Sequence, residues 1–169
     1  RCSAPRLVCI EEDTKMDCEL LKATKRDYEF CYELTKRNMY ELFCRHWGGW
    51  VDSEFRKGFV PEDTMLIMSS NEPVGYLSCK KIDDGVYIDN IQIVPEHQGN
   101  GIGTKVLTDL LDRHRNESIR LTTFEDNPAR HLYEKLGFCV YEKDGFTIRM
   151  EKRPNKTSQR TQTTGTSEI

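Results

Sequence analysis

Apolar and polar residues follow two distinct patterns along this chain. Short apolar or alternating runs predict seven β-strands, at residues 19–23, 64–69, 74–82, 86–94, 119–124, 139–143 and 146–151. Apolar residues spaced three or four apart predict four α-helices, at residues 24–46, 52–58, 104–114 and 127–136. Because helices interrupt the succession of strands, the pattern predicts an α/β fold with a sheet of mixed strand direction.

Capping and turn signals mark the ends of several elements. Thr24 is a good N-cap residue, and Asp27 stands three positions later, where the carboxylate of a capping box is expected. Residues 71–73 and 83–85 have the composition of turns between strands, and Pro95 ends the strand that precedes it. The predicted elements are therefore bounded by local chemistry at most of their ends.

A glycine-rich turn joins the fourth predicted strand to the third predicted helix. It reads Gln98-Gly99-Asn100-Gly101-Ile102-Gly103. Such a turn directs several backbone N–H groups at one point, where the helix dipole adds its positive end, so it predicts a phosphate site. The alternative is a tight connection that only needs positive φ.

Two common phosphate-binding motifs do not fit the spacing of this turn. A dinucleotide fingerprint needs a third glycine where Thr104 stands. A P-loop needs a hydroxyl residue where Val106 follows Lys105. If the turn binds a phosphate, it therefore follows neither of these two motifs.

A second segment, residues 127–138, carries the signals of a short helix. Asn127 is a good N-cap, Pro128 occupies the first helical position, and Gly137 follows the helix where a left-handed residue is common. Tyr133 within this helix is either a core residue or a residue whose hydroxyl reaches a site.

Together the two segments resemble the GNAT superfamily of N-acetyltransferases, over residues 18–152. Residues 98–103 match its pyrophosphate turn, Gln-x-x-Gly-x-Gly, and residues 127–138 match its late helix, Asn-Pro-Ala-x-x-Leu-Tyr-x-x-x-Gly-Phe. The resemblance implies a mixed, mostly antiparallel central sheet with helices on both faces. It also implies that two central parallel strands, here 86–94 and 119–124, splay apart around the acyl arm of acetyl-CoA.

The resemblance further implies which residues hold acetyl-CoA. Main-chain groups of Ile91 and Ile93 pair with the pantetheine arm, and an N–H near Ile93 polarises the thioester carbonyl. Asn127 holds the pantetheine from the other side, and the hydroxyl of Tyr133 protonates the departing thiolate. The pyrophosphate is held by Gln98, Gly99, Asn100, Gly101, Ile102, Gly103 and Thr104. No metal is required, because backbone groups and the helix dipole carry the phosphate charge.

A general base is needed because an ammonium has no lone pair for attack. Strand alternation places Tyr87, Asp89, Ile91 and Ile93 on one face, so Asp89 is expected to point toward the cofactor side. Asp89 is then a candidate base, directly or through a water, and Glu125 at the end of the next strand is the second candidate. The alternatives are that Asp89 orients neighbouring polar groups, and that no single residue is the base, as in many GNAT enzymes.

The choice of acceptor is expected to depend on the first two helices. Residues 37–39 and 47–52 resemble a GNAT subgroup with an Arg-x-x-Met helix followed by Trp-Gly-Trp-Asp. Here Met39 comes one position earlier, one extra glycine separates the tryptophans, and Val51 separates Trp50 from Asp52. Trp47 and Trp50 beside Asp52 form a candidate aromatic wall and counter-ion for a cationic amine. Alternatively, these aromatic side chains pack the helices on the sheet.

Composition narrows the class of protein. The chain has 169 residues, of which 37% are hydrophobic and 31% charged, enough for one compact domain. We expect a partly ordered extension over 1–17, with an edge strand at 6–10, an acetyltransferase domain over 18–152 and a disordered polar tail over 153–169. A net charge of −3 argues against a nucleic-acid partner, and the low hydropathy argues against a membrane partner.

The seven cysteines are scattered, with no Cys-x-x-Cys pair and no Cys/His cluster at zinc spacing. An odd number of cysteines without a disulfide framework is typical of reduced thiols. We therefore expect a cytoplasmic location, with the nucleus as the alternative, and no metal.

Two classes of function remain. The first is an acetyl-CoA-dependent N-acetyltransferase, monomeric or homodimeric, that acts on the primary amine of a small molecule or a protein by direct attack in a ternary complex. The second is a non-catalytic acyl-CoA-binding module that keeps the fold. Tyr133 and Asp89 favour the enzyme, because a binding module needs neither an acid for the thiolate nor a base for the amine.

Overall fold

A seven-stranded sheet forms the centre of the computed structural model, which describes residues 18–154. The strands are β1 (Glu19–Lys22), β2 (Thr64–Ser69), β3 (Glu72–Ile82), β4 (Gly85–Ile93), β5 (Ser118–Phe124), β6 (Cys139–Asp144) and β7 (Thr147–Lys152). Their order in the sheet is β1-β2-β3-β4-β5-β7-β6, and only β4 and β5 pair in parallel. The predicted mixed, mostly antiparallel sheet is confirmed.

Within residues 18–154, four α-helices cover the two faces of the sheet, as the resemblance implied. They are α1 (Tyr28–Trp47), α2 (Asp52–Gly58), α3 (Ile102–Arg113) and α4 (Arg130–Lys135). Helices α3 and α4 share a core cluster with the central strands, built around Leu107, Ile119 and Met150. Helices α1 and α2 pack on the other face, around Cys31 and Tyr76. None of the helices in residues 18–154 is long and apolar enough to span a bilayer.

Several predicted boundaries shift once the backbone is seen. The capping box of Thr24 and Asp27 is present, but it caps a single 3₁₀ turn, and α1 begins only at Tyr28. The predicted turn at 71–73 is wrong, because the turn begins one residue earlier. It lies at Ser70 and Asn71, which both have positive φ, and β3 already begins at Glu72. The proposed strand at 6–10, the extension over 1–17 and most of the polar tail lie outside the described residues.

The parallel pairing of β4 with β5 is short. It runs from Gly85 opposite Ser118 to Ile88 opposite Leu121. Beyond this point β4 continues along β3, and β5 continues along β7. The two strands therefore diverge toward their carboxyl ends and leave backbone groups on facing edges without a strand partner.

Gly85 is required where the parallel pair begins, because a Cβ at this position would overlap the carbonyl oxygen of Ser118. We expect Gly85→Ala to lower the free energy of unfolding by about 3 kcal/mol, since the clash is with backbone that cannot move without breaking the pair. Urea-induced unfolding measures the change. Gly145→Ala is the control, because Gly145 has φ of 56° and open space around it. We expect this variant to lose about 1 kcal/mol of unfolding free energy, from backbone strain alone. Equal losses of unfolding free energy in the two variants would contradict a steric requirement for glycine at position 85.

Candidate active site

A cleft of about 840 Å³ opens where β4 and β5 diverge. Its walls come from α1, from the separated ends of the two strands, from the turn at residues 98–103 and from α4. The two sequence motifs, which are far apart in the chain, thus face one cavity. This cavity is the candidate site.

Two glycines give the turn its shape. Gly99 and Gly101 have φ of 76° and 84°, in the left-handed region that favours glycine. Nothing lies within 4 Å of where a Cβ would stand at either residue. The space beside the turn is therefore open to a ligand, and side chains at these two positions would project into it.

Backbone N–H groups at the start of α3 are available to this space. The first intrahelical bond runs from the N–H of Lys105 to the carbonyl oxygen of Gly101, at 2.9 Å. The N–H groups of Ile102, Gly103 and Thr104 consequently have no partner within the helix. Together with the positive end of the helix dipole they suit an anion such as a phosphate group.

Gly103 differs from the other two glycines of the motif. Helix α3 begins at Ile102, two residues before the predicted start, so Gly103 lies within its first turn. A Cβ at Gly103 would stand 3.2 Å from Cδ2 of Leu132. Gly103 therefore allows α3 and α4 to approach each other. Open space for a ligand lies beside Gly99 and Gly101 instead.

A β-bulge in β4 changes which side chains face which side of the sheet. Ser78 pairs with Asn90 and Cys79 pairs with Ile88, so the backbone of Asp89 has no residue paired with it on β3. After this extra residue, Ile91 packs against the same core cluster as Ile88, next to α3 and α4. The prediction that Tyr87, Asp89, Ile91 and Ile93 share one face is therefore wrong, because the bulge interrupts the alternation.

Tyr133 lies at the inner end of the cleft. Its side chain is 6% exposed, and its ring packs edge-on against Phe138 with centroids 6.0 Å apart. Burial raises the pKa of the Tyr133 hydroxyl to about 12, because a phenolate loses its hydration there. The residue is thus both a core residue and a lining residue of the cleft, and its hydroxyl keeps its proton at neutral pH.

Comparison with known proteins identifies the family. The model of the acetyltransferase (GNAT) family matches residues 21–138, more than half of the chain. This chain belongs to the GNAT family. The glycine turn, the splayed strands and the helix that carries Tyr133 all lie within the matched residues.

Two curated GNAT relatives match part of the chain. The [ribosomal protein bS18]-alanine N-acetyltransferase of Haemophilus influenzae is 33% identical over 77 residues, which are 44% of this chain and 53% of the relative. N-alpha-acetyltransferase 30 of Schizosaccharomyces pombe is 35% identical over 92 residues, which are 49% of this chain and 61% of the relative. The chain thus spans less than two thirds of the length of both.

Among solved structures, the PaiA N-acetyltransferase of Thermoplasma acidophilum in complex with coenzyme A has the same fold. It superposes with a TM-score of 0.66 at 19% sequence identity, and the match covers 82% of this chain and 99% of that one. The likeness confirms the GNAT fold.

The two candidate bases of this GNAT chain lie in different surroundings. Asp89 lines the cleft and accepts a hydrogen bond from Lys80 Nζ at 2.7 Å. Glu125 lies outside the cleft lining and accepts from Lys143 Nζ at 2.6 Å, which holds the pKa of its carboxyl below the usual range. Across residues 18–154, no group of three or more His, Cys, Asp or Glu side chains is placed to hold a metal.

The predicted aromatic wall is divided by the structure. Trp47 lines the cleft, is 60% exposed and touches Phe124. Trp50 instead packs into an aromatic cluster under α2, and Asp52 accepts a hydrogen bond from the Tyr32 hydroxyl at 2.6 Å, outside the cleft lining. Trp47 therefore remains in reach of an acceptor, whereas Trp50 and Asp52 fix the α1–α2 connection.

Sequence reasoning missed a row of side-chain amides beside the cleft. Asn38 of α1 donates through Nδ2 to Oε1 of Gln92 and to the carbonyl oxygen of Ile93, at 2.9 and 3.0 Å. Gln98 also donates to the carbonyl oxygen of Ile93, at 2.9 Å, so its amide ties the turn to the end of β4. Asn38 lies in residues 37–39, the segment compared above with an Arg-x-x-Met helix, but no local sequence signal pairs it with Gln92.

A second missed contact holds α1 against the far end of the cleft. His46 Nε2 lies 2.8 Å from Oδ1 of Asp126, and its ring stacks on Phe124. Arg45 donates to the other carboxylate oxygen of Asp126. Both contacts lower the pKa of the Asp126 carboxyl, the His46 contact most. Arg45 and His46 together hold the end of α1 against the loop after β5.

Proposed function

We propose that this chain transfers the acetyl group of acetyl-CoA to a primary amine, of a small molecule or a protein, by direct attack in a ternary complex. The observation that carries the proposal is the single cleft shared by the diverging edges of β4 and β5, the N-terminus of α3 and Tyr133. A chain that only packed its core would have no need to keep these three features on one cavity.

The diphosphate of the co-substrate fits the turn after β4. The open space at Gly99 and Gly101 lets phosphate oxygens approach the backbone, where Asn100, Ile102 and Thr104 offer further N–H donors. These donors and the helix dipole supply the positive charge, so no metal is needed. Gln98, with its side chain on the Ile93 carbonyl, holds the turn in place.

The pantetheine arm fits the gap between the strands. On the edge of β4 that faces β5, main-chain groups of Ile91 and the N–H of Ile93 are left to pair with it, because strand pairing ends at Ile88. The carbonyl oxygen of Ile93 already accepts from Asn38 and Gln98. An N–H near Ile93 then polarises the thioester carbonyl, a contribution of about 3 kcal/mol for one such donor. Asn127 borders the other side of the arm, where its own amide is steadied by Thr123 and by the N–H of Ala129.

In the transfer step the amine nitrogen attacks the thioester carbonyl carbon. A C–N bond forms, the C–S bond breaks with its electron pair on sulfur, and the proton of the new ammonium passes to a base or a water. Tyr133 then donates its hydroxyl hydrogen toward the thiolate. Because its pKa of about 12 exceeds the value of about 8.5 typical of a thiol, we expect a strong hydrogen bond before any full proton transfer.

Asp89 is the base that we favour, because it lines the cleft and Glu125 does not. We expect Asp89→Asn to lower kcat about 100-fold and to shift the pH–rate profile, because the proton of the attacking amine then needs another acceptor. Steady-state rates across pH measure this.

Two variants serve as controls for Asp89→Asn. Lys80→Gln breaks the same ion pair but keeps the carboxylate, so it retains most of the parent's kcat. Glu125→Gln leaves the profile unchanged, because Lys143 lowers the pKa of that carboxyl and keeps it ionised at neutral pH. An unchanged pH–rate profile in Asp89→Asn would reject the assignment and leave a water chain as the route for the proton.

Release of free thiol from acetyl-CoA, followed over a panel of small amines and a panel of peptides, tests the proposed function. Turnover with any amine supports it. If the chain binds CoA but releases no thiol with any acceptor, it is an acyl-CoA-binding module. The two curated relatives are named as N-acetyltransferases, one of them for a ribosomal protein alanine, so the peptide panel includes free N-termini as well as lysines.

A further inference from the structure

Three side-chain amides form a chain of hydrogen bonds from α1 into the cleft. Asn38 Nδ2 donates to Gln92 Oε1 at 2.9 Å, and Gln92 Nε2 donates to Asn90 Oδ1 at 2.8 Å. Gln92 is 8% exposed, so its amide depends on these partners for its hydrogen bonds. The chain ends at Asn90, which lines the cleft.

The orientation of all three amides follows from one backbone group. The carbonyl oxygen of Ile93 can only accept, so the nitrogen of Asn38, not its oxygen, must face it. The same nitrogen also meets Gln92, which must therefore present its oxygen to Asn38 and its nitrogen to Asn90. Asn90 then has to turn its oxygen toward Gln92, and its two N–H groups point away from the chain.

The amide nitrogen of Asn90 has no hydrogen-bond partner among residues 18–154. Asn90 also borders a smaller cavity of about 190 Å³, together with Asp89. Because of the β-bulge, its side chain lies on the α1 face of β4, opposite the side on which Ile91 packs.

We propose that the Asn90 amide donates to an oxygen of the acceptor that lies beside its amine. The acceptor is then an α-amino amide, such as the first residue of a peptide, and not a plain alkyl amine. Asp89 and Asn90 together present a carboxylate for the amine and a donor for the neighbouring carbonyl. The inference rests on the proposed function, since it concerns the acceptor of that same reaction.

Fixed donors of this kind discriminate strongly. A site built to hydrogen-bond a substrate oxygen rejects the analogue that lacks it, because the site's own donor then loses its partner. Donation along the amide chain also polarises the terminal N–H groups and strengthens the bond that they make. Asn90 therefore affects which acceptor is selected, whereas Asp89 and Tyr133 affect the rate of acetyl transfer.

The experiment compares alaninamide with its alkyl counterpart, in which an isopropyl group replaces the carboxamide. Values of kcat/KM are expressed per free base, because the two amines differ in pKa, and are divided by the rates of the uncatalysed reactions with acetyl-CoA. We expect the full chain to prefer alaninamide by about tenfold or more. This comparison requires no variant.

Asn90→Asp supplies the matched variant. Its carboxylate still accepts from Gln92, but it offers an oxygen where the parent offers N–H donors. We expect the preference for alaninamide to fall about tenfold, whereas any effect of the added charge acts on both amines alike. CoA affinity checks that the variant is folded, and if it is not, the comparison in the parent decides.

The outcomes separate this inference from the function on which it rests. If the parent acetylates both amines without preference, or if folded Asn90→Asp keeps the parent's preference, the role of Asn90 is overturned and the acetyltransferase activity stands. If the parent releases no thiol with any amine in the wider panel, both fall together.

Discussion

Tyr133→Phe is expected to lower kcat about 100-fold while the dissociation constant for CoA stays within about threefold. The substitution keeps the ring that packs on Phe138 and removes only the hydroxyl of this cleft-lining residue. Without that hydroxyl the thiolate leaves without a hydrogen-bond donor, so the barrier to C–S cleavage rises. Thiol release measures kcat, and calorimetric titration measures CoA binding.

Stability should change little, because the Tyr133 hydroxyl has no hydrogen-bond partner among the described residues. Tyr87→Phe is the matched control. It removes another hydroxyl from the cleft lining, one that donates to Thr122 at 2.9 Å, so it loses about 1 kcal/mol of stability but keeps kcat. Full turnover in Tyr133→Phe would show that the leaving group needs no tyrosine here.

Gly101→Val is expected to weaken CoA binding more than about 100-fold. A branched residue at φ of 84° costs about 1–3 kcal/mol in backbone strain. Its side chain would also occupy the open space beside the turn, where the diphosphate is proposed to lie, and would hold phosphate oxygens away from the N–H groups at the start of α3. Titration with CoA and with acetyl-CoA measures the loss.

Strain alone must be separated from the loss of the phosphate site. Gly145→Val places the same side chain at another positive φ, 56°, with open space around it, in the turn between β6 and β7. We expect it to lose similar stability and to bind CoA as the parent does. Equal CoA affinity in the two variants would remove the turn from the proposed site.

The sequence determined the features that depend on neighbouring residues. The glycine turn at 98–103, the helix of Tyr133 and the strands of the sheet are specified by backbone preferences and by apolar spacing, which act over a few positions. These local signals, with the family resemblance that they carry, were enough to predict the mixed sheet and the parallel pair. That the turn binds a phosphate stays a prediction.

Tertiary structure decided the features that depend on distant pairings. The bulge at Asp89 exists because of its register with β3, so alternation within β4 could not reveal that Ile91 lies on the same side as Ile88. Asn38 meets Gln92 across 54 positions, and Trp50 turns into the aromatic cluster of α2 while Trp47 stays at the cleft. The side chains that would select an acceptor are placed by packing between α1 and the sheet, and packing of this kind leaves no period in the sequence.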